Sequence, residues 1–287
     1  MMLREYALLG LLALLWGSSY LLIGIAVVEI PPMTLIAARV AIAAVILTMG
    51  VVASGAHWPR DRVTWGRLLL QAVFNSIGAW TLLAWGQQYV GSGLASVLNS
   101  TAPLFVFALT LSAGMNPRRL LGACVGFGGV VLIVGLEALS GIGTSIAGQL
   151  AALGGAVLYA FAAIYGRKFN HLPATVTAAG TMLWATVVLL PAAIFIDQPW
   201  RLSPSLPAIL ATGALGLFST GLALLIYFRL LKTLGPLGVA SQAYLRAGIA
   251  VALGAVLLGE TISPAALVGI LAALLGVALI NSPARRK

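Results

Sequence analysis

Apolar residues fill this chain in long runs, and polar residues and prolines gather in short clusters between them. A bilayer-spanning helix needs about 20 apolar residues, and ten runs come close to that length, at about 6–28, 32–52, 66–87, 91–113, 119–136, 146–166, 173–196, 206–229, 237–258 and 263–281. Helix-breaking residues mark most boundaries: Pro31, Pro32, Pro59, Asn116 with Pro117, Pro173, Pro199, Pro204, Gly235 with Pro236, and Pro264. None of the runs alternates apolar with polar residues, so the pattern predicts helices. A membrane barrel would instead show strands of about 10 residues in strict alternation. The expected fold is an all-α polytopic membrane protein with ten transmembrane helices.

Composition agrees. The 287 residues are 61% hydrophobic and 8% charged, with a mean hydropathy of +1.07, whereas a soluble domain carries about 25% charge. Ten spans use about 200 residues, which leaves no room for a soluble domain. The apolar run behind Arg4 continues past about 20 residues without a small-residue cleavage site, so it is expected to stay as a span and not be removed as a signal peptide.

Net charge is +10, and its distribution predicts topology before it predicts nucleic-acid binding. With a cytoplasmic N-terminus, ten spans put Arg4, Arg60, Arg62, Arg67, Arg118, Arg119, Arg167, Lys168, Arg229, Lys232, Arg285, Arg286 and Lys287 in the cytoplasm and only Arg201 outside. Cytoplasmic loops normally carry this excess, so both termini are expected to be cytoplasmic. Arg39 and Arg246 lie inside spans two and nine. Arg39 is nearer its membrane edge and is expected to snorkel to the outer interface.

The chain also shows internal similarity. Gly122, Gly129 and Val130 align with Gly269, Gly276 and Val277, while Ala95 and Ser96 align with Ala240 and Ser241 one helix earlier. Two five-helix repeats are expected, over 1–140 and 141–287. Five is an odd number, so the second copy would sit inverted. Inverted repeats typify alternating-access transporters, with the substrate near the midplane between the halves.

Candidate chemistry clusters in spans three, four, eight and nine. Ser92, Ser96, Asn99 and Pro103 fall on one helical stripe, and Ser100 and Thr101 crowd the same turn. Pro103 removes a backbone hydrogen bond there, so a polar break is expected in mid-membrane, where only protein or water can satisfy it. Span three offers Gln71, Asn75, Ser76 and Trp80; span eight offers Thr220 and Tyr227; span nine offers Ser241, Gln242, Tyr244 and Arg246. Such residues also serve simply to bridge helices.

Arg246 lies about 14 Å deep, counting 1.5 Å per residue from its span end, and a cation there costs at least about 2.5 kcal/mol. Either it meets an anionic substrate group, such as a carboxylate held by its bidentate fork, or it bridges helix-end carbonyls freed by Pro103. Mid-span aromatics add Trp16, Tyr20 and Tyr159, with Trp16 and Tyr159 at matching places in the two halves. The expected substrate-binding set is Trp16, Tyr20, Asn75, Trp80, Asn99, Ser100, Tyr159, Tyr244 and Arg246. Spans five and ten, rich in glycine and poor in polar residues, are expected to be scaffold helices that approach closely.

None of the ten spans as bounded contains Asp or Glu, which disfavours proton coupling through a membrane carboxylate. His57 and His171 fall in loops, and Cys124 is the sole cysteine. No phosphate-binding glycine loop or metal-ligand cluster is present in the sequence. The expectation is therefore no metal, no cofactor, no ATP use, no enzymatic activity and no nucleic-acid partner. The partners are a small-molecule substrate and the lipid bilayer, and nothing in the spans calls for more than a monomer.

Leu15, Trp16, Gly17, Ser18, Ser19 and Tyr20 resemble the opening of EamA-type proteins of the drug/metabolite transporter superfamily. So do the stretch from Ala95-Ser96 to Pro103-Leu104-Phe105, Leu234-Gly235-Pro236 leading to Ala240-Ser241, Gly259-Glu260, and the paired glycines of spans five and ten. Within that family the chain looks closest to bacterial amino-acid exporters. The resemblance implies ten helices in two inverted halves, a central cavity, and export of amino acids, aromatic ones included, across the inner membrane. The first half has no acid matching Glu260, which argues against a symmetric gating role for that residue. Efflux of other small organic molecules is the alternative transport reading. A lipophilic-cation exporter among them would need a carboxylate where the chain has an arginine. A membrane-embedded lipid-processing enzyme or a structural scaffold are the alternatives from other classes.

Overall fold

The apolar runs fold as helices in the computed structural model, which describes residues 2–86, 88–90, 92–111, 116–135, 142, 145–258 and 263–282. The side chains of residues 2, 20, 92, 93, 250, 251 and 253–258 also lie outside that description, as do Glu137 and Glu260 entirely. In chain order the helices are α1 (Met2–Gly17), α2 (Ser19–Ala26), α3 (Pro32–Ala53), α4 (Arg62–Ala72), α5 (Thr81–Gly86), α6 (Ser92–Asn99), α7 (Ala102–Leu109) and α8 (Pro117–Val134). They continue with α9 (Ile146–Tyr165), α10 (Ala174–Asp197), α11 (Leu206–Gly216), α12 (Ala223–Ala240), α13 (Gln242–Leu258) and α14 (Pro264–Asn281). Among the described residues there is no strand.

Eight helical runs among the described residues are long and apolar enough to cross a membrane. They are α1 with α2, α3, α4 with α5, α8, α9, α10, α11 with α12, and α14. The expected fourth run is split into α6 and α7, and α13 is described over 17 residues.

Local chemistry sets the ends. Prolines open α3, α8 and α14, where the missing N–H is not needed. Asp61, Asn116, Ser145 and Ser263 cap their helices by accepting from backbone N–H groups. Gly235 breaks the helical course of α12 at φ 73° and ψ 179°, a conformation that glycine alone adopts at no steric cost. Pro236 then starts a new turn that leads into α13.

Two π-helical segments interrupt the helices, Val73–Trp80 between α4 and α5, and Leu217–Leu222 between α11 and α12. Each wider turn releases carbonyls from the regular ladder, and such segments gather at functional sites.

The two most extensive helix pairs are α8 with α14 and α3 with α10. The first is a close backbone contact. A Cβ placed on Gly129 would lie 2.6 Å from the Gly269 carbonyl oxygen, and one on Gly122 would lie 2.8 Å from that of Gly276. The glycine-rich runs pack as the sequence pattern predicts, backbone against backbone.

One end of the bundle is tied shut by polar contacts. Arg229 of α12 donates to Glu5 of α1 at 3.0 Å, and the Thr233 hydroxyl donates to the other Glu5 oxygen at 2.9 Å. Tyr6 donates to the Asn281 carbonyl at 3.1 Å, and the Asn281 amide donates to the Ser241 hydroxyl at 3.1 Å. Glu5 is 4% exposed. The sequence pattern placed it before the first span, but α1 begins at Met2 and so carries a buried carboxylate. At the other end Asp197 accepts from the Thr34 N–H and hydroxyl, both at 2.8 Å. Glu29 accepts from the Ser205 N–H and hydroxyl, both at 2.6 Å. These hydrogen bonds, the hydroxyl's first, hold the Glu29 carboxyl below the usual carboxylate range.

Candidate functional site

A cavity of about 390 Å³ runs from the middle of the bundle toward the end where Val27, Pro32 and Gln88 stand at its rim. Its volume lies within the range of small-molecule sites, about 300–1,000 Å³. Trp16, Arg39, Trp80, Asn99, Tyr159 and Arg246 form its deeper wall. A smaller space of about 30 Å³ continues past Trp16, Tyr159 and Arg246 toward Tyr227 and Gln242.

Two arginine–tryptophan pairs dominate this wall. The Arg39 guanidinium lies over the Trp80 ring at 4.3 Å, and that of Arg246 faces the Trp16 ring at 5.9 Å. A desolvated guanidinium over an indole face gains about 2 kcal/mol.

The second π segment anchors both pairs. The Thr220 hydroxyl accepts from Arg39 Nε at 3.0 Å and donates to the Leu215 carbonyl at 2.9 Å. One residue earlier, the Ser219 carbonyl accepts from Trp16 Nε1 at 2.9 Å. Trp80 closes the first π segment. Gly17 follows Trp16 and packs against α13, where a Cβ would stand 3.5 Å from the Arg246 carbonyl, an ordinary van der Waals contact.

Asn99 ends α6 and lines the cavity. It is 2% exposed, and its Oδ1 has no hydrogen-bond partner. A buried acceptor left without a donor costs about 1–3 kcal/mol. Gln242 Oε1, beside the smaller space, is likewise buried and unpartnered.

The cavity wall is cationic. Among the described residues the one ion pair joins Arg229 to Glu5, away from the cavity, and no carboxylate reaches Arg39 or Arg246. Among the same residues no His, Cys, Asp and Glu grouping could hold a metal ion.

Of the residues singled out from sequence, the fold brings Trp16, Trp80, Asn99, Tyr159 and Arg246 together around one space. Three others lie off its wall. Asn75 is fully buried in the first π segment, where its amide donates to the Ser76 hydroxyl at 3.3 Å. Ser100 is buried in the turn between α6 and α7. Tyr244 points toward α8, donating to the Ala123 carbonyl at 3.0 Å with its ring in the space left by Gly126. Tyr20 lies in α2, and its side chain is outside the description.

Arg39 reverses an expectation. It does not snorkel to the interface; it is 6% exposed and lines the cavity. Its position two helical turns past Pro32 sets its depth but not the direction of its side chain, which Trp80 and Thr220 fix. Thr220 belongs to the polar set of span eight, whereas Ser219 gave no such signal, because the role of its carbonyl depends on a π segment that the pattern of polar residues does not announce.

Comparison with known proteins agrees with a membrane carrier. The model of the EamA-like transporter family matches residues 4–135 and again residues 146–282. The chain is 30% identical over 254 residues to the uncharacterized inner membrane transporter YedA of Escherichia coli K12, covering 88% of this chain and 82% of that protein. It is 26% identical to the uncharacterized transporter YvbV of Bacillus subtilis, covering 98% and 93% of the two chains. A solved crystal structure superposes with a TM-score of 0.77 at 21% identity, over 95% of this chain and 94% of the other, which fixes the fold alone. With the family model matching nearly its whole length, this multi-pass membrane protein belongs to the EamA-like transporter family.

Proposed function

We propose that this transporter exports amino acids, aromatic ones included, or related small zwitterionic metabolites across a bacterial inner membrane. In this reading ten spans form two inverted five-helix halves, over 1–140 and 141–287, with both termini in the cytoplasm and the monomer as the working unit. Alternating access moves the substrate by facilitated diffusion. Three observations support the two-half organisation: the family model matches twice, a π segment interrupts a helix in each half, and helical breaks fall at Ser100-Thr101 and at Ser241.

The observation that carries the substrate class is the Arg246 guanidinium, which faces Trp16 in the cavity with no carboxylate partner among the described residues. A buried cation without a counter-charge is costly, and a substrate carboxylate held by its fork offsets that cost. Asn99 Oδ1 supplies an acceptor for an ammonium group, and the indole faces supply apolar area. A lipophilic cation would meet two arginines, the wrong sign. The cavity rim lies at the end away from Glu5 and Arg229, so in this topology the protein stands open to the outside.

The test is uptake of a panel of labelled amino acids into proteoliposomes, with and without a pH gradient, by the native protein and by Arg246→Ala. Loss of uptake in a monodisperse Arg246→Ala protein is the expected result. Normal uptake by that variant would remove Arg246 from the site, and dependence on the gradient would replace facilitated diffusion with proton coupling.

A further inference from the structure

The cavity holds more positive charge than one carboxylate can balance. Arg39 and Arg246 both line it. Among the described residues Arg39 donates a single hydrogen bond, from Nε to Thr220, and Arg246 donates none. A guanidinium carries five N–H donors, so most of this capacity is unused among the described residues. Stacking on Trp80 and the bond to Thr220 fix the plane of the Arg39 guanidinium and leave its remaining donors for a ligand.

A brace between the two halves would explain the Thr220 contact, but it would not need a permanent charge; a neutral amide would bridge Trp80 and Thr220 without the desolvation cost of a cation. A substrate with one carboxylate would leave one of the two arginines unbalanced in a low-dielectric space. Two acidic groups satisfy both.

We infer that the transported metabolite carries two acidic groups, one for Arg39 and one for Arg246, as a dicarboxylic amino acid does. This rests on the transport reading above and narrows it from zwitterions to net anions. Asn99 Oδ1, buried and unpartnered at the same wall, accepts from the ammonium group. Arg39 is then the residue that determines specificity, because it distinguishes an acidic side chain from its amide. A net-anionic substrate also gives outward movement a driving force, since the inside-negative membrane potential expels it without ATP or protons.

The decisive comparison is between glutamate and glutamine, which differ in charge and hardly in shape. Full-length protein in proteoliposomes is expected to take up labelled glutamate roughly ten-fold or more faster than labelled glutamine, the worth of a charge-assisted hydrogen bond set. Unlabelled succinate should compete with glutamate, because it presents the same two carboxylates. Arg39→Gln is expected to bring the glutamate-to-glutamine ratio close to one while glutamine uptake persists. If Arg39→Gln is not monodisperse, Arg39→Lys serves instead: it keeps the charge and loses the fork, so glutamate uptake falls but still exceeds that of glutamine.

Equal uptake of the two amino acids by the native protein overturns the inference, as does a variant that lowers both by the same factor. If phenylalanine and leucine move and glutamate does not, the inference fails while the transport reading stands. If no amino acid in the panel moves, both fall.

Discussion

Glu5→Gln tests whether the closed end of the bundle is a gate. Glu5 on α1 accepts from Arg229 and Thr233 on α12, at 3.0 and 2.9 Å, and these contacts tie together the helices that must part if the cavity is to open toward that end. Glutamine keeps the shape and the acceptor for Arg229, presents an N–H to the Thr233 hydroxyl, which can then donate to the Leu230 carbonyl, and removes the charge. A hydrogen bond to a charged group is worth about 1.5–3 kcal/mol and a neutral one about 0.5–1.5 kcal/mol. The Arg229 side chain is 40% exposed, so solvent screening places the loss at the low end, about 1 kcal/mol. If the bond is broken only when the gate opens, that loss shifts the equilibrium about five-fold toward the state open at this end. The measurement is labelling of a cavity cysteine, Ser19→Cys in a Cys124→Ser background, by a membrane-impermeant reagent applied to each side of oriented vesicles. Labelling from the Glu5 side should rise about five-fold in Glu5→Gln, and further in Glu5→Ala, which loses both bonds. If both variants leave two-sided labelling and transport unchanged, the pair is a surface contact and the gate lies elsewhere.

Three further outcomes can be checked on the purified protein. Gly129→Ala places a Cβ 2.6 Å from the Gly269 carbonyl and the Ala273 nitrogen, neither of which can rotate away, so α8 and α14 must separate at a cost of about 1–3 kcal/mol; a lowered melting temperature is expected, whereas Gly10→Ala, with open space around it, should not lower it. Glu29 has a lowered pKa because Ser205 donates to it, so its contact stabilises the fold above the ordinary carboxylate range and is lost as pH falls through the lowered value; Glu29→Gln should flatten the melting curve against pH in that acidic window, and an unchanged pH profile would count against the contact. Asn99→Leu removes a buried acceptor that lacks a partner, so the empty protein should melt higher while stabilisation by an added amino acid disappears; a variant that still responds to the ligand would remove Asn99 from the site.

Much of the membrane architecture was legible because bilayer thickness imposes run lengths that a sequence must display. The glycines of α8 and α14 were equally legible, since close backbone contact in lipid leaves small residues as its trace. The site was only half legible. Helical spacing groups Asn75 with Gln71, and Tyr244 with Ser241, but it does not say which face meets the cavity. Asn75 sits inside a π segment, where one extra residue per turn rotates every later side chain, so a stripe drawn at 3.6 residues per turn loses its phase there. Tyr244 turns toward α8 because Gly126 leaves room for its ring, a complementarity between distant segments that no local pattern carries. Arg39 was misplaced for a related reason. Distance from a helix end measures depth, but whether a side chain reaches water depends on the neighbours in its way, and here Trp80 and Thr220 hold it inward.

The proline in the fourth run acquires a different meaning from its surroundings. Pro103 stands in the first turn of α7, where it starts a helix and does not bend one. The break itself falls at Ser100 and Thr101, and the chain satisfies its own backbone there. Ser100 N–H donates to the Ser96 carbonyl at 2.9 Å, and the Thr101 hydroxyl donates to that of Leu98 at 2.5 Å. The second break follows the same scheme, with the Ser241 hydroxyl donating to the Gly238 carbonyl at 2.6 Å. In each case a hydroxyl closes the orphaned helix end, and the adjoining amide side chain, Asn99 or Gln242, is left buried with an unused acceptor. Both amides stand beside the wall that carries the two arginines. Acceptors and cations set side by side without contacting one another match a ligand that brings both an ammonium group and carboxylates, and a purely structural core would have paired them with each other.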